Sequence, residues 1–287
     1  MHVLITGAGS QLTAPLTASL KQRGHTVQAL SHAELDITDD ATALGVLRKT
    51  PTTDAVVNCA AANAVDRCET DPIWAYEGNM RGPLQLGQAA REVGAQYVTI
   101  SSDFVHGTLP SGMPLEATPL HEDLPAHPVN VYGHSKLMGE EAVLALQSQA
   151  YVLRTSWVVG ERFLDHVRKQ ISQGAVRLPQ GGHACPTIAA DLCEVIALLL
   201  DRDIPHGLYH VTNPPAVERP ALLREIVTCL DADPDLVTVG EDTRPAPRPV
   251  YSALATGKLA THKIEMPDWR DSLRHFVNGK PSPLQDL

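Results

Sequence analysis

The feature that most constrains this chain is an alternation, sustained through its first half, of short β-branched apolar runs with longer segments of helical spacing. Residues 2–6, 26–30, 54–58, 96–101 and 151–155 read as buried strands, and residues 11–23, 40–49, 71–93 and 131–147 as the helices between them. Strands joined by helix-length crossovers predict a parallel sheet covered on both faces. Right-handed crossovers make this an α/β, doubly wound sheet whose ligands lie at the carboxyl ends of the strands.

The second half is less regular. Residues 189–200 read as a buried helix and 207–211 as another strand, and prolines punctuate the chain from Pro214 to Pro249. Helices are expected near 220–230 and 267–276, and a loose tail over 280–287. The expected division is a dinucleotide-binding domain of 1–156 and about 187–212, with a smaller substrate-binding lobe of about 157–186 and 213–287.

Of the 287 residues 43% are hydrophobic and 20% charged, enough apolar surface for a sizeable core. A net charge of −10 argues against a nucleic-acid partner, which needs a clustered positive face. The five cysteines, Cys59, Cys68, Cys185, Cys193 and Cys229, lack Cys-x-x-Cys spacing and read as reduced thiols. The N-terminal apolar run is too short for a signal peptide, and no stretch approaches membrane-spanning length. The expectation is a cytoplasmic protein, monomer or homodimer, without a membrane partner. No metal site is expected, since His183 and Cys185 lack convergent further ligands.

Thr6-Gly7-Ala8-Gly9-Ser10-Gln11-Leu12-Thr13 closes the first strand and opens the first helix. Glycines here let the backbone approach a pyrophosphate drawn to the helix N-terminus, as in a Rossmann dinucleotide site. The spacing is imperfect, because Leu12 stands at the third glycine of G-x-G-x-x-G. After the second strand come Ser31 and His32, with no carboxylate where a ribose 2′-hydroxyl is usually held. That favours NADPH and admits NADH.

Tyr132 and Lys136 sit four apart at the start of a helix, on one face. A neighbouring ammonium stabilises phenolate and brings tyrosine towards a useful proton-exchange range. Ser102 ends the fourth strand, at the edge where such a sheet keeps its ligand, and is placed to hold a substrate oxygen against Tyr132. Singly, these have plainer readings as an exposed helix pair and a strand-end cap. The ordered set points to a proton and a hydride moved on a hydroxyl or ketone.

These motifs resemble the extended short-chain dehydrogenase/reductases, and within them the dTDP-4-dehydrorhamnose reductase family. The resemblance runs through Leu35-Asp36-Ile37-Thr38, Asn58-Cys59-Ala60-Ala61, Ser101-Ser102-Asp103-Phe104-Val105, Tyr132-Gly133-His134-Ser135-Lys136, Arg154-Thr155-Ser156-Trp157 and Pro267-Asp268-Trp269-Arg270. It implies reduction by NAD(P)H of the 4-keto group of a nucleotide-linked, dTDP-type 6-deoxysugar. Ser102, Tyr132 and Lys136 would be catalytic. Gly7, Gly9, Ser10, Gln11, Leu12, His32, Asp36, Ile37, Cys59, Ala60 and Ala61, with Tyr132 and Lys136, would hold the cofactor. Asp103, Phe104, Val105, Trp157 and Arg248 would meet the nucleotide sugar.

The chain departs from the family pattern in three places. Ser10 and Thr13 replace glycines of the phosphate turn, Gly181-Gly182 replaces a polar pair before Pro186-Thr187, and Arg162-Phe163 stands where Asn-Phe is usual. A nucleotide-sugar epimerase or dehydratase, or a non-catalytic Rossmann regulatory subunit, are the alternative readings.

Overall fold

The computed structural model describes residues 1–50, 52–107, 119–146 and 148–287. Strands β1 (His2–Thr6), β2 (Thr26–Leu30), β3 (Ala55–Asn58), β4 (Gln96–Ser102) and β5 (Ala150–Thr155), with a sixth strand Gly207–His210, form one sheet. From one edge the order is Gly207–His210, β5, β4, β3, β1, β2, and every pairing is parallel. The chain moves outward from β1 to β2, then returns to place β3 on the other side of β1. That reversal opens a crevice beyond the ends of β1 and β3, where open α/β sheets bind ligands.

Successive strand residues face opposite sides, so a strand covered on both faces is apolar throughout. In β1, Val3 and Ile5 join Leu16 and Leu20 of α1 (Thr13–Gln22) on one side, while Leu4 joins Leu47, Leu86 and Tyr97 on the other. The second side is closed by α2 (Asp40–Lys49), α5 (Gly82–Glu92) and α6 (Val131–Leu146). Gln147, where the sequence ends the helix that is α6, lies outside the described residues. On the first side α8 (Ala189–Asp201) packs on α1 and is apolar nearly all round, as a helix buried on every flank must be.

The helix expected over 71–93 is present as an unbroken helical run over 72–92 with a π turn inside it. After a short α3 (Val65–Thr70), the run comprises α4 (Pro72–Tyr76), a π-helical turn Glu77–Arg81, and α5. Asp71 caps α4 by accepting from the Trp74 amide, with Pro72 in its first turn. The π turn takes up one extra residue within the run, which a pattern read at uniform helical spacing does not resolve. It rotates Asn79 inward, where its amide pairs with both backbone groups of Ala62.

A separate core packs α7 (Glu161–Ser172), α9 (Arg219–Cys229) and Trp269–Val277 around Val159, Leu164, Val167, Ile226, Trp269 and Leu273. No helix is expected from the sequence at α7, although Leu164, Val167 and Ile171 repeat at helical spacing within a charged segment. The expected loose tail is also corrected. Ser282 donates to buried Asp191 at 2.6 Å, and Leu284, 3% exposed, enters the core beside α8. Burial of that leucine outweighs the ordering cost that leaves most termini free.

Candidate active site

Two cavities adjoin along the carboxyl edge of the sheet. One, of about 780 Å³, is lined by Gly7, Gly9, Ser31, His32, Asp36 and Ile37. The other, of about 570 Å³, is lined by Gln11, Leu12, Ser102, Asp103, Tyr132 and Lys136, with Phe104 and Trp157. Ser10, Cys59, Ala60 and Ala61 line both, so the cavities form one continuous groove.

The phosphate turn is built tightly despite its missing glycines. Gly7 has φ +72°, and a Cβ there would come within 2.9 Å of the Ala60 nitrogen, so only glycine fits. A Cβ at Gly9 would meet no protein atom, because that position faces the open groove. Ser10 and Thr13 tie the turn together: their hydroxyls lie 3.0 Å apart, and Thr13 donates to the Gly7 carbonyl at 2.9 Å. The Leu12 amide donates to the Ser10 hydroxyl at 3.3 Å. Cys59 lies beside this turn with its thiol pushed up to about 12 by burial, which keeps it protonated at neutral pH.

At the other end of the first cavity, Asp36 accepts from the amide and the hydroxyl of Thr38 and lies 3.7 Å from His32. The Ser31 amide and hydroxyl both donate to Glu34, at 2.8 and 2.6 Å. Asn58 at the end of β3 accepts from Thr6 and from the Ala60 amide, locking the β1 and β3 ends together.

The second cavity gathers side chains from β4, β5 and α6. The Lys136 ammonium donates to the Ile100 carbonyl at 3.0 Å and is pulled down to about 8 by burial, with Glu140 opposing. Glu140 is in turn held by Arg154 at 2.7 Å, both side chains almost fully enclosed. His106, against that guanidinium at 3.0 Å, is pushed down to about 4 by burial and by Arg154, so it is neutral.

Burial also pushes the Tyr132 phenol up, and the influence opposing it is the Ser102 hydroxyl. The expected lowering by Lys136 is therefore not what governs this tyrosine; desolvation outweighs it. Gly133 lets α6 approach closely, since a Cβ there would lie 2.1 Å from the Phe104 carbonyl oxygen. Phe104 in turn meets the Tyr132 ring edge-on at 5.6 Å.

Ser102 both caps a strand end and faces the cavity. Its hydroxyl accepts from the Phe104 amide at 3.2 Å and donates to Asp103 at 3.1 Å. Asp103 collects Ser156 at 2.8 Å and Ser252 at 2.5 Å as well, and burial still raises its carboxyl to about 6. Ser101, whose hydroxyl is buried without a partner among the described residues, also lines this cavity. Trp157 sits there at φ +36°, a backbone conformation that costs free energy and collects at ligand-binding positions.

Two substrate candidates lie elsewhere. Val105 is 0% exposed and lines neither cavity, because its place in the turn after β4 points it inward. Arg248 also lines neither; its guanidinium pairs with Asp66 at 2.7 and 3.0 Å. That contact holds the Asp66 carboxyl below its ordinary range. Sequence reasoning missed Ser156 and Ser252 as partners of Asp103; of the groove residues of α7, it named Arg162 and Phe163 only as a departure from the family pattern on the substrate side, without a helix to carry them, and did not name His166. The helical spacing of Leu164, Val167 and Ile171 was the available signal for the last three.

No helix of the described residues is long and apolar enough to cross a membrane. Residues 1–280 match the model of the RmlD substrate binding domain family. The dTDP-4-dehydrorhamnose reductase of Streptomyces griseus is 37% identical over 283 residues, covering 94% of this chain and 91% of its own length. That of Mycolicibacterium smegmatis is 35% identical over 285 residues, covering 96% and 85%. A crystal structure of dTDP-4-dehydrorhamnose reductase from Bacillus anthracis, in complex with NADP, superposes with a TM-score of 0.86 at 27% identity, covering 97% and 99%.

Proposed function

The chain belongs to the RmlD substrate binding domain family, and we propose from that membership that it reduces the 4-keto group of a dTDP-linked 6-deoxysugar, with NADPH preferred and NADH admitted. The observation that carries the reading is the shared cavity of Ser102, Tyr132 and Lys136 at the carboxyl edge of the sheet. The residues present fit a dinucleotide. Gly9 faces open groove, and the Ser101 hydroxyl is without a partner among the described residues. The phosphate turn with Cys59, Ala60 and Ala61 would hold the diphosphate region, His32, Asp36 and Ile37 the adenosine end, and Tyr132 and Lys136 the nicotinamide end. When bound, the reduced nicotinamide supplies the hydride.

The chain's own residues supply the proton. A phenol pushed up by burial stays protonated at neutral pH, the state needed to protonate an emerging alkoxide. The phenolate left behind is stabilised by the Ser102 hydroxyl, the group that opposes the upward shift of this phenol, and Lys136 in the same cavity would add its charge. On substrate binding the Ser102 hydroxyl, still held by the Phe104 amide, would turn its single proton from Asp103 to the keto oxygen and orient it towards Tyr132. Phe104 and Trp157 supply apolar walls for the sugar, while Asp103 supports the polar side of the pocket.

NADPH preference is supported by the strand end after β2, where Ser31 and His32 line the cavity and Asp36 is engaged by Thr38. The five free cysteines fit a reducing compartment, so a cytoplasmic location is part of the reading. Division into a dinucleotide-binding domain and a smaller substrate lobe is supported by the separate core around α7 and α9.

The test is NADPH oxidation with a dTDP-4-keto-6-deoxysugar. Tyr132→Phe is expected to lower kcat by about a hundredfold to ten-thousandfold while NADPH Kd and Tm stay close to wild type. Full turnover by that variant, or no turnover by the wild-type chain across 4-keto sugar nucleotides, would refute the reading.

A further inference from the structure

Arg162 lines both cavities of the groove. The residues it shares this position with are Ser10, Cys59, Ala60, Ala61 and Asn63, none of which carries a positive charge. Among the described residues it is thus the one cation at the junction between the adenosine-side and catalytic cavities. In a dinucleotide laid along such a groove, the diphosphate is what lies between the two ends.

Its charge is left unneutralised. The neighbouring acidic residues of α7, Glu161 and Asp165, are both taken by Arg168, at 2.5 and 2.8 Å. The acidic residues of the first cavity are engaged too: Asp71 by Arg67, Glu77 by Arg81, and Asp36 by Thr38 and His32. Among the described residues Arg162 makes no ion pair. The start of α7 is also held against the phosphate turn. Gln11 donates to the Val158 carbonyl at 3.3 Å, and its side-chain oxygen lies against Gly160, where a Cβ would come within 2.8 Å. The turn itself offers backbone N–H groups but no charged side chain.

We propose that Arg162 is the cationic contact for the diphosphate of the bound dinucleotide, complementing the Ser10–Thr13 turn. This rests on the reductase reading and deepens it. Arg162 is exposed at the mouth of the groove, where a guanidinium matches the paired oxygens of a diphosphate and forms charge-assisted hydrogen bonds with them.

The experiment titrates NADPH, NADH and ADP-ribose into the wild-type chain, Arg162→Ala and Arg162→Lys, by nucleotide fluorescence and calorimetry, with Tm as a folding control. Arg162→Ala is expected to weaken all three by about tenfold, ~1.4 kcal/mol, and Arg162→Lys by less. The KM for the sugar nucleotide, at saturating NADPH, should be unchanged. Three results would overturn the assignment: unaltered Kd values, a loss confined to NADPH (a 2′-phosphate contact), or a loss confined to the sugar nucleotide (a contact to the substrate's own diphosphate). Absence of NADPH binding by the wild-type chain would instead sink the reductase reading, and the inference with it.

Discussion

At Asp103 burial and hydrogen bonding pull in opposite directions on a single carboxyl. Three serine hydroxyls favour its charged form, yet loss of water dominates and raises it from 3.8 to about 6. Between pH of about 4 and about 6 the folded chain therefore keeps a proton that the unfolded chain has released. This carboxyl then lowers stability as pH rises through that window, by on the order of 3 kcal/mol in total. Asp103→Asn should remove that slope while leaving a group able to pair with Ser156 and Ser252. Urea unfolding at steps between pH 4 and 7 would show it. Identical pH profiles for variant and wild type would mean that Asp103 is ionised throughout. The same residue explains a limit of sequence reading. The Ser-Ser-Asp motif is contiguous and visible, but Ser252 reaches Asp103 from 149 positions away.

The elements around the site depend on close backbone approach as much as on propensity. A Cβ at Gly139 of α6 would stand 2.1 Å from the Asn79 carbonyl oxygen in the π turn, so Gly139→Ala must force the two apart. A cost of roughly 1–3 kcal/mol is expected, with reduced turnover because α6 carries Tyr132 and Lys136. Gly45→Ala in α2 is the matched control. Its Cβ meets nothing within 4 Å, so the variant should gain up to about 1 kcal/mol from helix propensity. Chemical denaturation of both variants separates packing from propensity; equal shifts would refute the close-approach argument. The π turn and α7 were the elements hardest to read. A one-residue insertion is not resolved by a pattern read at uniform helical spacing, and a charged amphipathic helix shows its apolar stripe only when read at helical spacing.

For the whole molecule, the C-terminus completes the layer over α8. Leu284 is 3% exposed within the main core, and Ser282 satisfies buried Asp191. Leu284→Ala should cost about 2–5 kcal/mol, as other buried leucine truncations do, without altering cofactor affinity. A truncation after Gly279 should lower Tm further, because Asp191 also loses its Ser282 partner. A truncated chain with wild-type Tm would show that the tail is decoration after all.

The parallel doubly wound sheet, the phosphate turn and the ordered Ser102, Tyr132 and Lys136 were all present in the sequence itself. Their signals are local: apolar periodicity, glycines at a strand-to-helix junction, and a four-residue spacing on one helix. Tertiary structure alone decided that Arg248 is bound to Asp66, that Val105 is enclosed, that the tail is docked, and that Arg162 stands over the junction of two cavities. Each of these is a meeting of residues remote in sequence, set by how helices and loops pack on the sheet. Such pairings depend on distances in space, which no local pattern of residues encodes.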